Sequence, residues 1–444
     1  MSIKLIAAIL LGKIIFYITQ ILKIGGGSAA PGYYALKIYP NLVKDLASKI
    51  PQTIIITGTN GKTTTARMIA QVAIAHGLKI IRNSTGSNLE RGIASTLIAN
   101  CNLFPRTCNL DLAIWELDEA AFNNVALKLN PNMIVFLNAF RDQLDRYGEV
   151  DSVISKWCQT LTKIDHKTEI LINGDDHNLL ELKKCFKGKI RIFGVKDCKI
   201  SGEKIIHQKE NEKLNFEATN IQPRGLDKIE FKINSESFSL PVPGIYNVYN
   251  FLASYAVADY LQIPESTMKT ALQNFSPAFG RVEKFEFGCI FLIKNPAGAT
   301  QVLQTVAPEI KSQDRLLLAL NDNFADGTDV SWIWDVNFEI LHLKPPVIPH
   351  LMRDPEHNKL DSRFRGNDII VSGTRAQDLA LRLKYAGFDS NSIIVENILE
   401  KAFKEAQTGL KGSLFILPTY TALLELQSIL TKQGLKNNYW EENK

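Results

Sequence analysis

The sequence is poor in cysteine and has no closely paired cysteines. Its 444 residues include six cysteines, and none of them belongs to a C-x-x-C pair. The lack of such a pair argues against a zinc ribbon and against a thioredoxin-type redox site. In a chain of this length, the six thiols are therefore interpreted as scattered and reduced, as is usual in the cytosol.

The chain also has little net charge. Its 51 basic and 46 acidic residues give a formal charge of +5 at pH 7. Binding to nucleic acid needs a concentrated basic face, and so small and dispersed an excess does not predict one. The mild excess of lysine is compatible with an anionic substrate such as a nucleotide or a lipid phosphate. The composition is that of a folded globular protein, and the length suggests two or three domains of roughly 150 residues.

One long apolar run is present, over residues 5–24. Lys13 lies near its middle, where a charge is costly in lipid, so a membrane span is not favoured. On a helix, one side gathers Gly12, Lys13, Thr19, Gln20 and Lys23, with Lys4 the exception. The separation from the apolar residues is imperfect. The pattern predicts an amphipathic helix that lies either on a membrane surface or on the body of the protein.

Strand and helix patterns alternate in the first half of the chain. The β-branched run at 53–56 predicts a buried strand, and residues 63–76 predict a helix. Further strands are expected at 79–81, 112–116, 133–137 and 169–172. Such alternation is typical of a parallel sheet covered by helices. From 196 to 240, single apolar residues alternate with polar ones instead, which predicts an antiparallel, half-exposed sheet.

A second α/β alternation begins after residue 281. The expected strands are at 290–294, 315–320, 338–343, 369–372, 392–395 and 413–417, with helices at 374–385 and 420–431. Residues 345–368 have no helical or strand period and are rich in Pro, Asp, Asn, Arg and Gly. This stretch is interpreted as a surface insertion without function, because long surface insertions cost little stability.

The strongest motif, G-T-N-G-K-T, lies between a predicted strand and a predicted helix. Backbone N–H groups converge on a phosphate in such a loop. Lys62 supplies a positive charge to the β- and γ-phosphates of a nucleotide, and the Thr63 hydroxyl is placed for Mg²⁺. A site that needs ATP argues against secretion of the chain. The residues predicted to bind the nucleotide here are Gly58, Thr59, Asn60, Gly61, Lys62, Thr63 and Thr64.

The string TGTNGKTTT resembles the Mur ligase superfamily, which includes folylpolyglutamate synthase. The resemblance implies an α/β fold with a P-loop central domain, built on a parallel sheet plus a small antiparallel sheet. A Rossmann-like C-terminal domain is expected to follow. The chain is accordingly divided into an N-terminal helical segment (1–45), a central ATP-binding domain (46–280) and a C-terminal domain (281–444). ATP and Mg²⁺ are the cofactors that the family uses.

Three further residues take roles by this resemblance. Glu116, in W-E-L-D-E, matches the magnesium-binding glutamate of the family, so Thr63 and Glu116 are the expected Mg²⁺ ligands. Asn250, in G-I-Y-N-V-Y-N, is expected to read the adenine edge. Arg281, in the G-R pair at the hinge, is expected to reach the phosphates. Without the resemblance these residues would be interpreted as a solvated acid, a helix cap and a solvated charge.

Lys294 departs from the aspartate-containing motif of most family members and points to one branch. It lies in K-N-P-A-G, and residues 321–329 (N-D-N-F-A-D-G-T-D) agree with it. These motifs resemble the MurT branch, the synthetase subunits of lipid II isoglutaminyl synthase. This implies ATP-dependent amidation of the α-carboxylate of D-glutamate in the lipid II stem peptide, through an acyl phosphate. Only 57 residues precede the loop, too few for a separate UDP-binding domain, which also favours a lipid-linked substrate.

Ammonia for such a reaction is expected from a partner. The sequence shows no C-G-x-C or G-x-C-x-G nucleophile elbow of a glutaminase. By resemblance the partner is a glutamine amidotransferase subunit of the GatD type, and Asp329 orients its Cys–His pair. Otherwise Asp329 would be a loop cap. The expected catalytic residues are thus Lys62, Glu116 and Asp329. Trp332 and Trp334 are interpreted either as interface anchors or as core aromatics.

Zinc is not expected, although many MurT proteins carry a Cys₄ ribbon in the central domain. The corresponding stretch, 196–240, holds only Cys198. The expected location is cytoplasmic, with the N-terminal helix on the inner face of the membrane as an open alternative. Two other functions are weighed. Lys294 and Asp329 argue against an amino-acid-adding ligase, and the set of phosphate and magnesium residues argues against a non-catalytic ATP-binding scaffold.

Overall fold

A computed structural model of the chain describes residues 2–21, 29–83, 87–102, 109–140, 150–196, 213–276, 282–342 and 369–435. The expected insertion at 345–368 and Arg281 lie outside these residues, so the predictions made for them stay predictions.

The described residues form two lobes. The N-terminal lobe contains the helices α1 (Ile3–Ile21), α2 (Ala30–Ile38), α3 (Leu42–Ala47), α4 (Lys62–Ala75), α5 (Glu90–Asn100), α6 (Glu119–Leu129), α7 (Val150–Leu161), α8 (His177–Leu180), α9 (Ile245–Tyr260) and α10 (Glu265–Leu272). Its strands are β1 (Gln52–Thr57), β2 (Ile80–Arg82), β3 (Leu112–Leu117), β4 (Met133–Phe136), β5 (Glu169–Asn173), β6 (Lys189–Val195), β7 (Phe216–Arg224), β8 (Lys228–Ile233) and β9 (Glu236–Leu240).

The C-terminal lobe contains the strands β10 (Glu283–Phe285), β11 (Gly288–Ile290), β12 (Arg315–Ala319), β13 (Ile369–Ser372), β14 (Ile393–Val395) and β15 (Leu414–Pro418). Its helices are α11 (Pro296–Val306), α12 (Ala376–Tyr385), α13 (Leu399–Gln407) and α14 (Tyr420–Lys432).

The N-terminal lobe is built on one sheet with the order β2-β3-β1-β4-β5-β6-β7-β8-β9. The strands from β2 to β7 pair in parallel, and β8 and β9 continue the sheet antiparallel. Ile54, Ile55 and Ile56 of the central strand β1 are fully buried, because helices cover both faces of the sheet. The predicted parallel sheet and its antiparallel extension are both confirmed.

Two layers of helices cover this sheet. Helices α4, α9 and α10 pack on one face, while α1, α2, α3, α5, α6 and α7 contribute to the core on the other. Strand β3 contributes side chains to both cores. Ile114 packs in the core under α4, α9 and α10, and Trp115 packs in the core on the other face of the sheet. The loop between β1 and α4 is thereby held at the carboxyl edge of the sheet, where ligands of open α/β sheets bind.

The predicted N-terminal helix exists and lies on the protein's own body. Helix α1 packs against α2 and α5. Gly12, which the sequence pattern assigned to the polar side, is buried, and a Cβ there would lie 2.7 Å from Cδ1 of Ile98. Helix α2 approaches α5 just as closely, because the N–H of Gly32 donates to Oγ of Ser95 over 2.8 Å. The assignment of Gly12 to a polar face was wrong, because a small residue also serves close helix packing.

The C-terminal lobe is a doubly wound sheet with the order β10-β11-β15-β12-β13-β14. Strands β11 to β15 pair in parallel, with α11 and α12 on one face and α13 and α14 on the other. This confirms the Rossmann-like body. The strand predicted at 338–343 is wrong: Phe338–His342 forms a 3₁₀ turn whose Phe338 and Leu341 are buried in the core. A short apolar run does not by itself distinguish a strand from a buried helical turn.

The cysteines also differ from the prediction of reduced thiols. Cys158, in α7, forms a disulfide with Cys185, which follows the turn after α8. Cys289 is a buried thiol. The interpretation was wrong for the bonded pair, because a separation of 27 residues along the chain does not reveal that two elements pack together.

Candidate active site

The phosphate loop depends on two glycines. Gly58 has a φ of 134° and Gly61 a φ of 89°. A Cβ at Gly58 would lie 2.8 Å from the carbonyl oxygen of Asn138, and one at Gly61 would lie 2.2 Å from Oδ1 of Asn250. Left-handed backbone and occupied space together exclude other residues at both positions. Gly58 and Gly61 therefore place no side chain between the loop backbone and a bound phosphate.

Lys62 begins α4 and folds back over this loop. Its Nζ donates to the carbonyl of Gly58 and, over 3.4 Å, to that of Thr59. The same nitrogen lies 3.7 Å from Oδ1 of Asp118 and 3.6 Å from Oε2 of Glu119. Lys62 is only 9 % exposed, so its charge acts in a medium of low dielectric. Asp118 and Glu119 had no predicted role, and they keep this buried cation balanced.

Thr63 and Glu116 are in direct contact. The Thr63 hydroxyl donates to Oε2 of Glu116 over 2.7 Å, and Glu116 is fully buried. The contact arises because β1 and β3 are neighbours in register, with Ile56 opposite Glu116. One hydroxyl and one carboxylate are hard oxygen ligands of the kind that Mg²⁺ takes, with phosphates and water supplying the rest. These two residues therefore fit the predicted magnesium site.

Asn83 is a site residue that sequence reasoning missed. It follows β2, is fully buried, and brackets the backbone of Glu116. Its Nδ2 donates to the carbonyl of Glu116 and its Oδ1 accepts from the N–H, each over 2.9 Å. These two bonds fix the backbone from which the Glu116 side chain extends towards Thr63. An asparagine that directly follows a strand was the available signal.

Asn138 is a second missed residue, and it holds the loop from the β4 side. Its Oδ1 accepts from the N–H of Asn60 over 2.8 Å, and its Nδ2 donates to the carbonyl of Asn60 over 3.0 Å. The N–H of Thr59 donates to the carbonyl of Asn138 over 3.1 Å. The hydroxyl of Thr59 also bonds to the backbone of Phe140. The chain after β4 therefore fixes the shape of the loop.

Asp176 holds the chain after β4 in place through a hydrogen bond to its backbone. It is wholly buried, and its Oδ2 accepts from the N–H of Ala139 over 2.7 Å, while Oδ1 accepts from that of Asn178 over 3.0 Å. Burial raises the pKa of Asp176 to about 6. Burial also raises the pKa of the neighbouring Asp175, which accepts from the Tyr249 hydroxyl over 2.7 Å. The N-G-D-D turn is thus a support of the site.

Asn250 lies under the loop, at Gly61. Its Oδ1 accepts from the Thr65 hydroxyl over 3.3 Å, and its Nδ2 donates to Oδ1 of Asn247 over 3.2 Å. The Nδ2 of Asn247 in turn donates to the carbonyl of Pro243 over 2.7 Å. The two asparagines of the G-x-x-N-x-x-N motif therefore brace the loop and also reach the cleft beside it.

That cleft opens between the two lobes, next to the phosphate loop. The N-terminal lobe contributes Asn60, Gly61, Thr64, Leu137, Asn138, Phe140, Asn173, Asp175, Asp176, Tyr246, Asn247, Tyr249 and Asn250. The C-terminal lobe contributes Leu292, Lys294, Gly298, Gln301 and Val302. Apolar and aromatic walls with a few amides suit a nucleotide base. Lys294, the residue that departs from the common family motif, faces this cleft.

Asp329 does not line the cleft and lies in the segment after β12. It is partly exposed, and its Oδ1 accepts from the N–H of Ser331 over 2.8 Å. Asp326, in the same segment, is buried and accepts from the N–H and the hydroxyl of Thr421 over 2.8 and 2.5 Å. The segment is thereby fastened to the start of α14. The catalytic residues predicted from the sequence thus lie at two separate locations. Lys62 and Glu116 are at the phosphate loop, and Asp329 is in the segment after β12.

The two tryptophans that follow have different environments. Trp332 is 8 % exposed and belongs to the core of the C-terminal lobe. Trp334 is 46 % exposed and packs edge-to-face on Tyr385, with the guanidinium of Arg382 5.9 Å from its ring centre. The core interpretation holds for Trp332, and only Trp334 is available to a partner.

Two family models match the chain. The Mur ligase middle domain matches residues 56–258, which include the phosphate loop, Glu116 and Asn250. The MurT ligase C-terminal domain matches residues 292–423, which include Lys294 and Asp329. Together the matched ranges contain all the residues predicted from the sequence to bind or react, except Arg281.

Whole-length relatives agree with these models. The chain is 30 % identical to the MurT subunit of lipid II isoglutaminyl synthase (glutamine-hydrolysing) from Staphylococcus aureus, over 91 % of this chain and 93 % of that protein. It is 28 % identical to the protein of the same name from Streptococcus pneumoniae, over 98 % and 99 %. The structure of the MurF ligase from Thermotoga maritima in complex with ADP superposes with a TM-score of 0.62 at 12 % identity, over 90 % and 85 %. That last likeness shows the fold alone.

Proposed function

Because this chain belongs to the MurT family of Mur ligases, we propose that it is the synthetase subunit of a lipid II isoglutaminyl synthase. It is an ATP-dependent ligase that acts in peptidoglycan synthesis by amidation. The observation that carries the proposal is the phosphate loop, with the buried Lys62 ammonium on one side and the Thr63–Glu116 pair on the other. A charged pocket of this kind is what phosphoryl transfer from ATP requires.

The reaction we propose has two steps. An oxygen of the D-glutamate α-carboxylate in the stem peptide attacks the γ-phosphorus of ATP, and the bond to the β-phosphate oxygen breaks, which yields an acyl phosphate and ADP. Ammonia then attacks the acyl carbon, phosphate leaves with the electron pair of its bond, and the released proton passes to solvent. The product is D-isoglutamine. Such chemistry depends on positioning and charge neutralisation more than on covalent help.

The chain's own residues would supply both requirements. The backbone N–H groups of the loop and Lys62 would hold the terminal phosphates, and Asn250 would contact the adenine in the cleft. Thr63 and Glu116 would hold Mg²⁺, which neutralises the charge that develops on the phosphate oxygens. Arg281 is proposed to reach the phosphates from the hinge. We retain the limits 1–45, 46–280 and 281–444 as the proposed domains.

The partner we propose is a glutaminase subunit of the GatD type. The S. aureus and S. pneumoniae relatives are named as one subunit of a glutamine-hydrolysing enzyme, which implies a partner in general. Asp329 would orient the partner's Cys–His pair, and its partly exposed position outside the nucleotide cleft supports this role. The enzyme would work on the cytoplasmic side, where ATP is present, at the inner face of the membrane that carries lipid II.

The decisive experiment is co-expression with the cognate glutaminase, followed by mass spectrometry of lipid II. Amidation replaces a hydroxyl by an amino group, so the expected result is a small loss of mass that Lys62→Ala abolishes. Lys404→Ala, which changes an exposed lysine of α13, is the matched control and should leave the amidation intact. A gain of mass would indicate an amino-acid-adding ligase instead. Amidation that survives in Lys62→Ala would refute the proposed site.

A further inference from the structure

The N-terminal part of the chain has an unusual charge composition. Residues 1–44 contain five lysines and neither aspartate nor glutamate. Two helices of the structure, α1 and α2, come from this stretch and pack together on the N-terminal lobe. A surface built from them is positively charged, whereas the chain as a whole is almost balanced.

Helix α1 has one face on the protein. Leu5, Ala8, Ile9 and Gly12 are buried against α2 and α5. With 3.6 residues per turn, these four positions fall within a sector of roughly 100°. By length and composition α1 is the one helix within the described residues that could cross a membrane. Because α1 packs lengthwise on the N-terminal lobe, it lies along the protein surface and does not extend away from it as a membrane span would.

The opposite face of α1 is apolar and exposed. Ile3 is 84 % exposed and Ile21 79 %, and between them Leu10, Ile14 and Ile18 are each close to half exposed. These five residues occupy a second sector of roughly 80° on the helix. Monomeric soluble proteins rarely leave so continuous an apolar stripe in water. The helix is therefore apolar on both faces, and its outer face lacks a covering element within the described residues.

Lysines flank this stripe on both sides. In an α-helix, Lys4 lies about 40° beyond one margin of the stripe and Lys13 about 60° beyond the other. On the neighbouring helix, Tyr33 and Tyr34 are exposed, and Nζ of Lys37 lies 4.5 Å above the Tyr33 ring. An apolar stripe with basic margins and adjacent tyrosines is the pattern of a helix that lies in the headgroup region of a bilayer.

We propose that α1 and α2 form a docking surface for an anionic phospholipid membrane, with α1 parallel to the bilayer plane. The apolar stripe would enter the acyl boundary, and the lysines would contact phosphate headgroups. The charge of the surface favours an anionic membrane over a second copy of the chain as its binding partner. Self-association through the same face would bring lysines against lysines, with no carboxylate among residues 1–44 to pair with them.

The docking surface is connected to the reaction edge by a short path. Helix α2 bonds to α5 through Gly32 and Ser95, and α5 begins two residues after Asn88. The Nδ2 of Asn88 donates to Oδ1 of Asp118 over 3.2 Å, and Asp118 lies 3.7 Å from Lys62. The docking surface and the phosphate loop are thus connected through α5. Membrane binding stands on the helices alone, whereas delivery of a lipid-linked substrate rests on the proposed function.

The test is co-sedimentation of the full chain with vesicles. Vesicles of phosphatidylglycerol and phosphatidylcholine should bind the protein, vesicles of phosphatidylcholine alone should bind it much less, and salt should weaken the binding. The triple variant Lys4→Glu, Lys13→Glu, Lys37→Glu should lower the partition coefficient on the order of a hundredfold, since each lysine near an anionic surface counts for about fivefold. All three positions are accessible, so the fold should persist, which circular dichroism checks.

A matched control makes the same charge change elsewhere. Lys401→Glu, Lys404→Glu, Lys411→Glu alters three exposed lysines of the C-terminal lobe and should bind vesicles like the natural chain. A second variant, Ile14→Ser with Ile18→Ser, should also reduce binding, although it keeps every charge.

Three outcomes would overturn the proposal. They are absence of binding to anionic vesicles, equal binding by the Lys4, Lys13, Lys37 variant, and a lipid-free dimer in sedimentation velocity that Ile14→Ser with Ile18→Ser dissociates. The dimer would assign the stripe to a second copy. Amidation of lipid II in detergent micelles, where docking is not needed, should be unchanged in the charge variant. If the natural chain did not amidate lipid II in micelles, the proposed function would be contradicted, whereas the proposal of membrane binding would be unaffected.

Discussion

Asn60 and Asn295 form a reciprocal amide pair between the two lobes. Nδ2 of Asn60 donates to Oδ1 of Asn295 over 3.2 Å, and Nδ2 of Asn295 donates to Oδ1 of Asn60 over 3.0 Å. The same Oδ1 of Asn295 accepts from the N–H of Gly298 over 2.8 Å and so caps α11. One side chain therefore caps a helix of the C-terminal lobe and fixes the phosphate loop of the other lobe.

Asn295→Ser should separate these two tasks. Serine is an equivalent helix cap but is too short to reach Asn60. We expect the KM for ATP to rise about five- to tenfold, as the loss of one or two hydrogen bonds implies, with little change in Tm. Steady-state ADP release measures the first and thermal unfolding the second. Asn295→Ala should show the same kinetic defect and lose about 1 kcal/mol of stability with the cap. An unchanged KM for ATP in Asn295→Ser would show that the pair does not position the loop.

Glu116→Gln should expose the magnesium role. Glutamine preserves the size and can still accept from the Thr63 hydroxyl, but it lacks the negative charge that a divalent cation prefers. We expect ADP release to fall by about a hundredfold at low Mg²⁺ and to recover in part as Mg²⁺ is raised, as for a ligand to a catalytic metal. Glu90→Gln, a partly exposed carboxylate of α5 paired with Lys128, is the control. A Mg²⁺ requirement equal to that of the natural chain would argue against Glu116 as a ligand.

Asp329→Asn should distinguish the two nitrogen sources. If Asp329 orients the partner's Cys–His pair, its amide analogue loses glutamine-dependent amidation by a factor of about a thousand or more, as in other triads. Free ammonium chloride should restore amidation, because the ATP site contains none of these groups. Asp335→Asn, an exposed aspartate a few residues on, should keep both activities. Equal loss with glutamine and with ammonia would place the defect in the synthetase reaction and contradict the assignment.

Asp176 should make stability depend on pH. Its pKa is 3.8 in the unfolded chain and about 6 in the folded one, so the folded state binds more protons between these values. The stabilisation is complete below the unfolded pKa and disappears as the pH rises through about 6. Between pH 5 and pH 7, the free energy of unfolding should therefore fall by about 1 kcal/mol from this residue.

Urea unfolding of the natural chain and of Asp176→Asn measures this effect. The variant should be less stable throughout, because an amide nitrogen would face one of the two N–H donors from Ala139 and Asn178. The difference in the free energy of unfolding between Asp176→Asn and the natural chain should be larger at pH 5 than at pH 7. A difference that is constant across this range would mean that Asp176 does not titrate there.

Much of the fold and the phosphate loop could be predicted because their signals are local. Residues 52–75 carry a β-branched strand, a glycine loop and a helix in succession, and backbone preferences over a few residues suffice to specify them. The same period-based reasoning failed for Phe338–His342, where five mostly apolar residues fit a strand and a buried turn equally. The Cys158–Cys185 disulfide was also not predicted from the sequence, because it depends on packing between separate elements.

By itself, the sequence determined the chemistry: a glycine-bound loop, a lysine for phosphate and a carboxylate at a strand end are properties of short segments. Only the tertiary structure decided which side chains hold that chemistry in place. Asn83 lies 33 residues from Glu116, and Asn60 lies 235 residues from Asn295. Such amide pairs have no local signature, because they form only when the parallel register of β2 and β3 and the closure of two lobes bring distant segments within hydrogen-bonding distance.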